Sequence, residues 1–145
     1  MPKIDIKTIT EFDPSLTEPI GRLLDQLTSL HIEFTDNDLR TLIEAESSSL
    51  MVMYSDTEPI GMITLGHYLA PTGRKVWIED VVIDNMFRGR GLGRKLVAHA
   101  IEYCKSQGID TLMLTSNPKR VAANALYQSL GFERKETNVY KMNLL

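Results

Sequence analysis

The sequence predicts an α/β protein, a mixed sheet with helices on its faces. Three observations carry this. Short apolar runs rich in β-branched residues recur along the chain, amphipathic helical stripes separate them, and one such run ends in a glycine-rich turn that leads straight into the clearest helix. With 145 residues, 43% of them apolar, the chain has enough hydrophobic surface for one core, so residues 1–145 are read as a single domain.

Ile4, Ile6 and Thr8 alternate with charged residues and predict an opening strand with one buried face. After Pro14 and Pro19, the residues Ile20, Leu23, Leu24, Leu27 and Leu30 or His31 recur at helical spacing. A second helix fits Asp36 to Ala45, with Thr35 or Asp36 as N-cap and Leu39, Leu42 and Ile43 on one face. Ser49 to Tyr54 and Ile60 to Tyr68 flank a Ser-Asp-Thr-Glu-Pro turn and read as an antiparallel hairpin. The turn Pro71-Thr72-Gly73 leads into Val76 to Ile83, apolar at nearly every position and so a central strand covered on both faces. Leu92 to Gln107 is a helix with the stripe Leu92, Leu96, Val97, Ala100, Ile101 and Cys104, closed by Gly108. Thr111 to Thr115 is read as a strand, Pro118 as the first residue of a helix running to Leu130, and Val139 to Leu144 as a closing strand.

Charge narrows the partners. A net charge of −3 argues against nonspecific nucleic-acid binding, which needs many cations to neutralise phosphates. The charge is uneven: residues 1–73 carry 4 basic and 12 acidic side chains, whereas residues 74–145 carry 12 basic and 7 acidic ones. Cys104 is the lone cysteine, so no internal disulfide can form, and no Cys/His spacing predicts a metal site. Met1 to Thr10 is neither a signal sequence nor a membrane span, which makes a cytoplasmic protein the expectation.

The chemistry concentrates after the central strand. Arg88-Gly89-Arg90-Gly91-Leu92-Gly93 runs directly into a helix, with Arg94 and Lys95 following. Glycines let a backbone approach its ligand closely, and a helix N-terminus offers unpaired N–H groups with a dipole that favours anions. Strand, glycine loop, helix and four cations together describe a pyrophosphate cradle; a solvated basic turn is the plainer alternative. The glycine spacing fits neither G-x-G-x-x-G nor the loop of nucleoside triphosphatases. Coenzyme A, which carries a pyrophosphate, remains.

Here the sequence resembles the GCN5-related N-acetyltransferase (GNAT) superfamily, whose acyl-CoA loop has the form [Q/R]-x-x-G-x-[G/A], matched by Arg88 to Gly93. The likeness extends through Glu79-Asp80-Val81-Val82-Ile83 and through Asn124-Ala125-Leu126-Tyr127-Gln128-Ser129-Leu130-Gly131-Phe132. It implies a mixed, mostly antiparallel sheet of about six to seven strands flanked by about four helices, with a splayed cleft for acyl-CoA. In such a cleft the amide-bearing pantetheine arm pairs with the strand Val81, Val82 and Ile83, and the pyrophosphate rests on Arg88, Gly89, Arg90, Gly91, Leu92, Gly93 and Arg94. Asn117 and Asn124 are further cofactor contacts under the same resemblance, although Asn117 could equally be an N-cap.

Glu79 and Asp80 are adjacent on the central strand, so strict alternation sends them to opposite faces. An amine acceptor with a lysine-like pKa of ~10.4 must lose a proton at a cost of ~4.6 kcal/mol at pH 7. A buried carboxylate is suited to receive it, directly or through water. The resemblance gives Glu79 that role in some members, with Asp80 beside it at the acceptor; an ion pair of Glu79 with Arg74 is the structural alternative. On the helix after Pro118, Ala122, Ala125, Leu126 and Ser129 read as the core stripe, while Tyr127 shares another face with Asn117, Arg120 and Asn124. By resemblance, Tyr127 hydrogen-bonds the CoA sulfur and acts as general acid. Complete proton transfer from a free phenol to a thiolate is uphill by ~2 kcal/mol, so a strong hydrogen bond suffices.

These readings converge on direct transfer of acetyl from acetyl-CoA to a primary amine of a small molecule or peptide, with no metal and no acetyl-enzyme. A backbone N–H such as that of Val81 would stabilise the oxyanion. Transfer to protein lysines or N-termini, and a non-catalytic acyl-CoA-binding regulatory module, are the alternatives. The acidic first half points to a cationic acceptor, no nucleic-acid or membrane partner is expected, and the sheet edges leave a homodimer open.

Overall fold

The computed structural model describes residues 1–145. They divide into two compact units, Met1–Thr115 and Ser116–Leu145. The first contains a five-stranded sheet ordered β1 (Ile4–Thr8), β2 (Ser48–Ser55), β3 (Glu58–Ala70), β4 (Gly73–Ile83) and β5 (Leu112–Met113). The first four strands are antiparallel neighbours, and β5 runs parallel to β4.

Three helices belong to this unit: α1 (Thr17–Leu27), α2 (Asp36–Glu44) and α3 (Leu92–Ser106). Pro19 is accommodated in the first turn of α1, where a missing N–H breaks no ladder. A capping box starts α2: Thr35 Oγ1 accepts the Asp38 N–H, and Asp38 Oδ2 accepts the Thr35 N–H. Gly108 closes α3 at φ +69°, a left-handed conformation that glycine adopts without strain.

Register assigns the two faces of the sheet, because residues directly opposite each other across a ladder share a face. Leu50, Val52, Met62 and Val82 lie on one face and pack with Leu16, Ile20, Leu23, Leu24 and Leu39 into one core. The alternate residues Met51, Ile63, Leu65, Ile78 and Val76 occupy the other face. There α3, which packs on β3 and β4, buries Leu96, Val97, Ala100 and Cys104. At the centre of β4 only one face is covered: Val76 and Ile78 are buried toward α3, whereas Trp77 is half-buried and Glu79 exposed on the other face, so the two-sided burial expected of this strand is not met there. No helix is long and apolar enough to cross a membrane.

The second unit holds α4 (Val121–Ser129), followed by residues without regular structure. Two further sequence expectations are corrected. Five strands form instead of six or seven, because 139–144 adopt no strand and Val139, Tyr140, Met142 and Leu144 are all exposed. A period-two pattern stabilises a strand only when a ladder satisfies its backbone and a core buries one of its faces. The helix begins at Val121, and Pro118 lies in the turn before it. The Asn117 Oδ1 accepts the Lys119 N–H at 2.9 Å and the Asn117 carbonyl accepts the Arg120 N–H at 3.0 Å, so this local turn occupies the residues expected to start the helix.

Candidate active site

Strand β4 outruns its neighbour. Its ladder with β5 consists of Val76↔Leu112 and Trp77↔Met113, after which β4 continues to Ile83 without a partner on that side. The strand Thr111 to Thr115 expected from sequence is thus cut to Leu112–Met113, the two residues that pair with β4. Asp84 donates its N–H across to Ile60 O on β3 at 2.7 Å, so its neighbour Ile83 presents its polar groups to the open edge. There Arg88 Nε donates to Ile83 O at 3.2 Å.

Pairing of β4 with β3 is interrupted by a bulge. Thr64 opposes Glu79 and Met62 opposes Val82, so Ile63 on β3 faces two residues, Asp80 and Val81. Asp80 takes φ +48°, the left-handed region that aspartate tolerates better than most side chains. The bulge overturns the alternation argument for the acidic pair. It resets the phase so that Glu79 and Val82 share the face that α1 covers, and both Glu79 and Asp80 are exposed. Neither forms an ion pair, so the alternative partner Arg74 is not used. The burial expected of Glu79 is also absent. Just below the bulge, a Cβ on Gly61 would stand 2.7 Å from Ile83 Cδ1 and 3.1 Å from Val82 O, which is why glycine occupies β3 there.

The loop after β4 is braced at every turn. Asp84 is buried and accepts the Met86 N–H through Oδ1 at 2.9 Å, opening a short 3-10 turn over Asn85–Phe87. Arg90 Nη2 donates to Met86 O at 3.4 Å while its guanidinium lies 5.2 Å from the centre of the Phe87 ring. Gly89 and Gly91 take φ +77° and +74°, with open space where a Cβ would stand. Glycine is required at both for backbone conformation. Gly91 is the N-cap of α3 and has no side chain with which to cap it, and the helical ladder first closes with Lys95 N–H to Gly91 O at 3.2 Å. The N–H groups of Leu92 and Gly93 are left facing outward at a helix start, the geometry an anion uses.

In the second unit, Tyr127 is the buried residue of α4, with its ring edge-on to Phe132 at 6.0 Å. Ala122, Ala125 and Ser129, expected as core, are exposed. The helical period groups residues into faces but does not say which face is buried, and the one large aromatic ring decided it. Asn124 Nδ2 donates to Asn117 O at 3.0 Å and Arg120 O at 2.8 Å, with Ser116 Oγ at 3.3 Å. Both asparagines therefore shape the turn before α4. Cys104 is buried, and that burial pushes its thiol above the ordinary range, against the lowering influence of Arg74. A buried thiol held in its protonated form is a poor nucleophile, in line with its place on the core stripe. Asp84 and Gln26, which hold the loop, were not singled out from sequence; an aspartate ending an apolar strand was the available signal.

The fold is shared with solved acetyltransferases. Aminoglycoside N-acetyltransferase AAC(6')-Iy in complex with CoA superposes with a TM-score of 0.78 at 19% identity, covering 100% of this chain and 97% of that one. N-acetyltransferase family 8 member 3 of Mus musculus is 26% identical over 116 residues, 79% of this chain and 51% of the relative. Glucosamine 6-phosphate N-acetyltransferase of Arabidopsis thaliana is 34% identical over 74 residues, 51% of this chain and 48% of the relative. The chain thus spans about half the length of these curated relatives. The profile of the Acetyltransferase (GNAT) family matches residues 16–132, from the end of the first 3-10 turn through Phe132, and the chain belongs to that family.

Proposed function

We propose that the chain is an acetyl-CoA-dependent N-acetyltransferase that passes acetyl directly to a primary amine in a ternary complex. One observation carries the reading: the edge of β4 left open after Trp77 leads, through the short 3-10 turn Asn85–Phe87, to the glycine loop and the uncapped start of α3. An amide-bearing arm paired to that edge delivers a pyrophosphate to an anion-binding helix terminus. The solved neighbour in complex with CoA, and the same protein in complex with the bisubstrate analogue CoA-S-monomethyl-acetylneamine, support the assignment of the ligand.

In this reading the backbone at Val81 to Ile83 aligns the thioester, and a bulge N–H polarises its carbonyl. Glu79, exposed on the face shared with α1, relays the ammonium proton through water, with Asp80 beside it attracting the cation. The amine nitrogen attacks the carbonyl carbon, the C–S bond breaks, and Tyr127 hydrogen-bonds the departing sulfur. Gly89 to Gly93 with Arg88, Arg90 and Arg94 hold the phosphates, and Asn117 and Asn124 shape the turn that presents Tyr127.

The acceptor is inferred to be a cationic amine. Of the 19 acidic residues, 12 lie in residues 1–73, with Glu18 and Asp25 on α1, Glu33 on the segment leading to α2 and Asp36 at the start of α2. Release of CoA thiol is measured over a panel of polyamines, aminoglycosides, amino sugar phosphates and amino-terminal peptides. Acceptor-dependent release with intersecting initial-velocity lines supports direct transfer. Tight CoA binding with no release from any amine class would favour a regulatory module, and a stable acetyl group on Cys104 would overturn the ternary mechanism.

A further inference from the structure

Helix α1 reaches the phosphate loop through side chains that the mechanism above does not use. Both oxygens of the buried Asp84 are engaged: Oδ1 accepts the Met86 N–H at 2.9 Å, and Oδ2 lies 3.4 Å from Gln26 Nε2 and 3.6 Å from Arg22 Nε. The other end of the Gln26 amide accepts the Asn85 N–H through Oε1 at 2.7 Å. These partners dictate the amide orientation, since a backbone N–H needs an acceptor and a carboxylate needs a donor; the flipped amide would lose both bonds. Arg22 is held in turn by Glu18, with its Nη1 3.3 Å from each carboxylate oxygen. Two consecutive backbone N–H groups at the start of the loop are thus satisfied by side chains, one of them from a helix about sixty positions earlier in sequence.

We propose that Gln26 and Asp84 are positioning residues that set the direction in which Arg88 to Gly93 leaves β4, so that the glycine N–H groups converge on the pyrophosphate of CoA. This rests on the reading of that loop as the pyrophosphate site. Neither residue touches the ligand; they act through the Asn85–Phe87 turn. Their contribution is therefore confined to the part of the cofactor that the loop holds. Pantetheine is the arm of CoA without its pyrophosphate and adenosine, and 3′-dephospho-CoA keeps both while lacking the 3′-phosphate, so the three ligands separate the diphosphate end from the arm and from the 3′-phosphate.

The test is calorimetric Kd measurement for CoA, 3′-dephospho-CoA and pantetheine, the last by competition, on the wild-type chain and on Gln26→Ala, Asp84→Asn and Gly91→Val. No acceptor is needed. Loss of the Asn85 bond in Gln26→Ala is expected to weaken CoA and 3′-dephospho-CoA alike by about tenfold and to leave pantetheine unchanged. Asp84→Asn keeps an acceptor for Met86 but turns an NH2 donor toward Gln26 Nε2 and Arg22, losing both contacts, and it should show the same selectivity. An equal loss for all three ligands means a general structural role and overturns the proposal, as does no loss for any. If Gly91→Val weakens CoA selectively while Gln26→Ala does not, the brace is wrong and the phosphate site stands. If wild type binds pantetheine as tightly as CoA, the phosphate site itself fails and the brace with it.

Discussion

Asp80 shows how one backbone angle redirects a site. At φ +48° in a strand it costs more than an extended residue would, and the bulge it creates places Glu79 and Val82 on one face. Asp80→Gly should keep or raise stability in urea unfolding, because glycine takes that angle freely. Asp80→Val should lose about 1–2 kcal/mol, since a β-branched residue is strongly disfavoured there; equal stability of the two variants would show that the angle is not maintained in solution. Tyr127 is tested by removing one atom. Tyr127→Phe keeps the edge-on contact with Phe132 and deletes the hydroxyl. It should leave the melting temperature nearly unchanged and lower kcat about a hundredfold, within the range of general acid catalysis. Unchanged kcat would remove Tyr127 from the reaction. The residue types at 79, 80 and 127 were legible in sequence, but their directions were not: alternation cannot foresee a bulge, and helical periodicity cannot say which face is covered.

Among the elements, legibility followed local signals. The N-cap of α2, the hairpin of β2 and β3 and the stripe of α3 are each encoded within about a dozen residues, and each formed where expected. The closing strand and the full length of β5 depend on a neighbouring ladder that no local pattern specifies, and these differ. The approach of β3 to β4 is a similar long-range feature, concentrated at Gly61. Gly61→Ala places a methyl group against Ile83 Cδ1 and Val82 O. Ile83 can turn its side chain, but a backbone oxygen at 3.1 Å moves only if the end of β4 moves. A loss of about 1–3 kcal/mol is expected. Because Ile83 lies on the open edge, the Kd for CoA should rise as well. A destabilised variant with wild-type CoA affinity would separate this edge from the cofactor.

Across the whole molecule, the order of elements was readable because each is punctuated by glycine, proline or a cap, whereas the groups that titrate abnormally depend on how those elements pack. Two of them govern stability at high pH. Burial pushes the Cys104 thiol up, and it pushes the Tyr54 phenol up too, with Asp13 and Asp5 adding to the effect. Both groups bind their proton more tightly in the folded chain than in the unfolded one. Their contribution is therefore complete below the unfolded values and is lost as pH rises through the folded values, first for the thiol and then for the phenol. Urea midpoints should fall from about pH 8.5 upward, where free thiols begin to ionise, and more steeply above about pH 10, where free phenols follow. Cys104→Ala leaves a small cavity whose cost does not depend on pH, so its midpoint should start lower and decline less between these two values. A variant curve parallel to wild type across that interval would show that the thiol does not ionise on unfolding there, contrary to the burial argument.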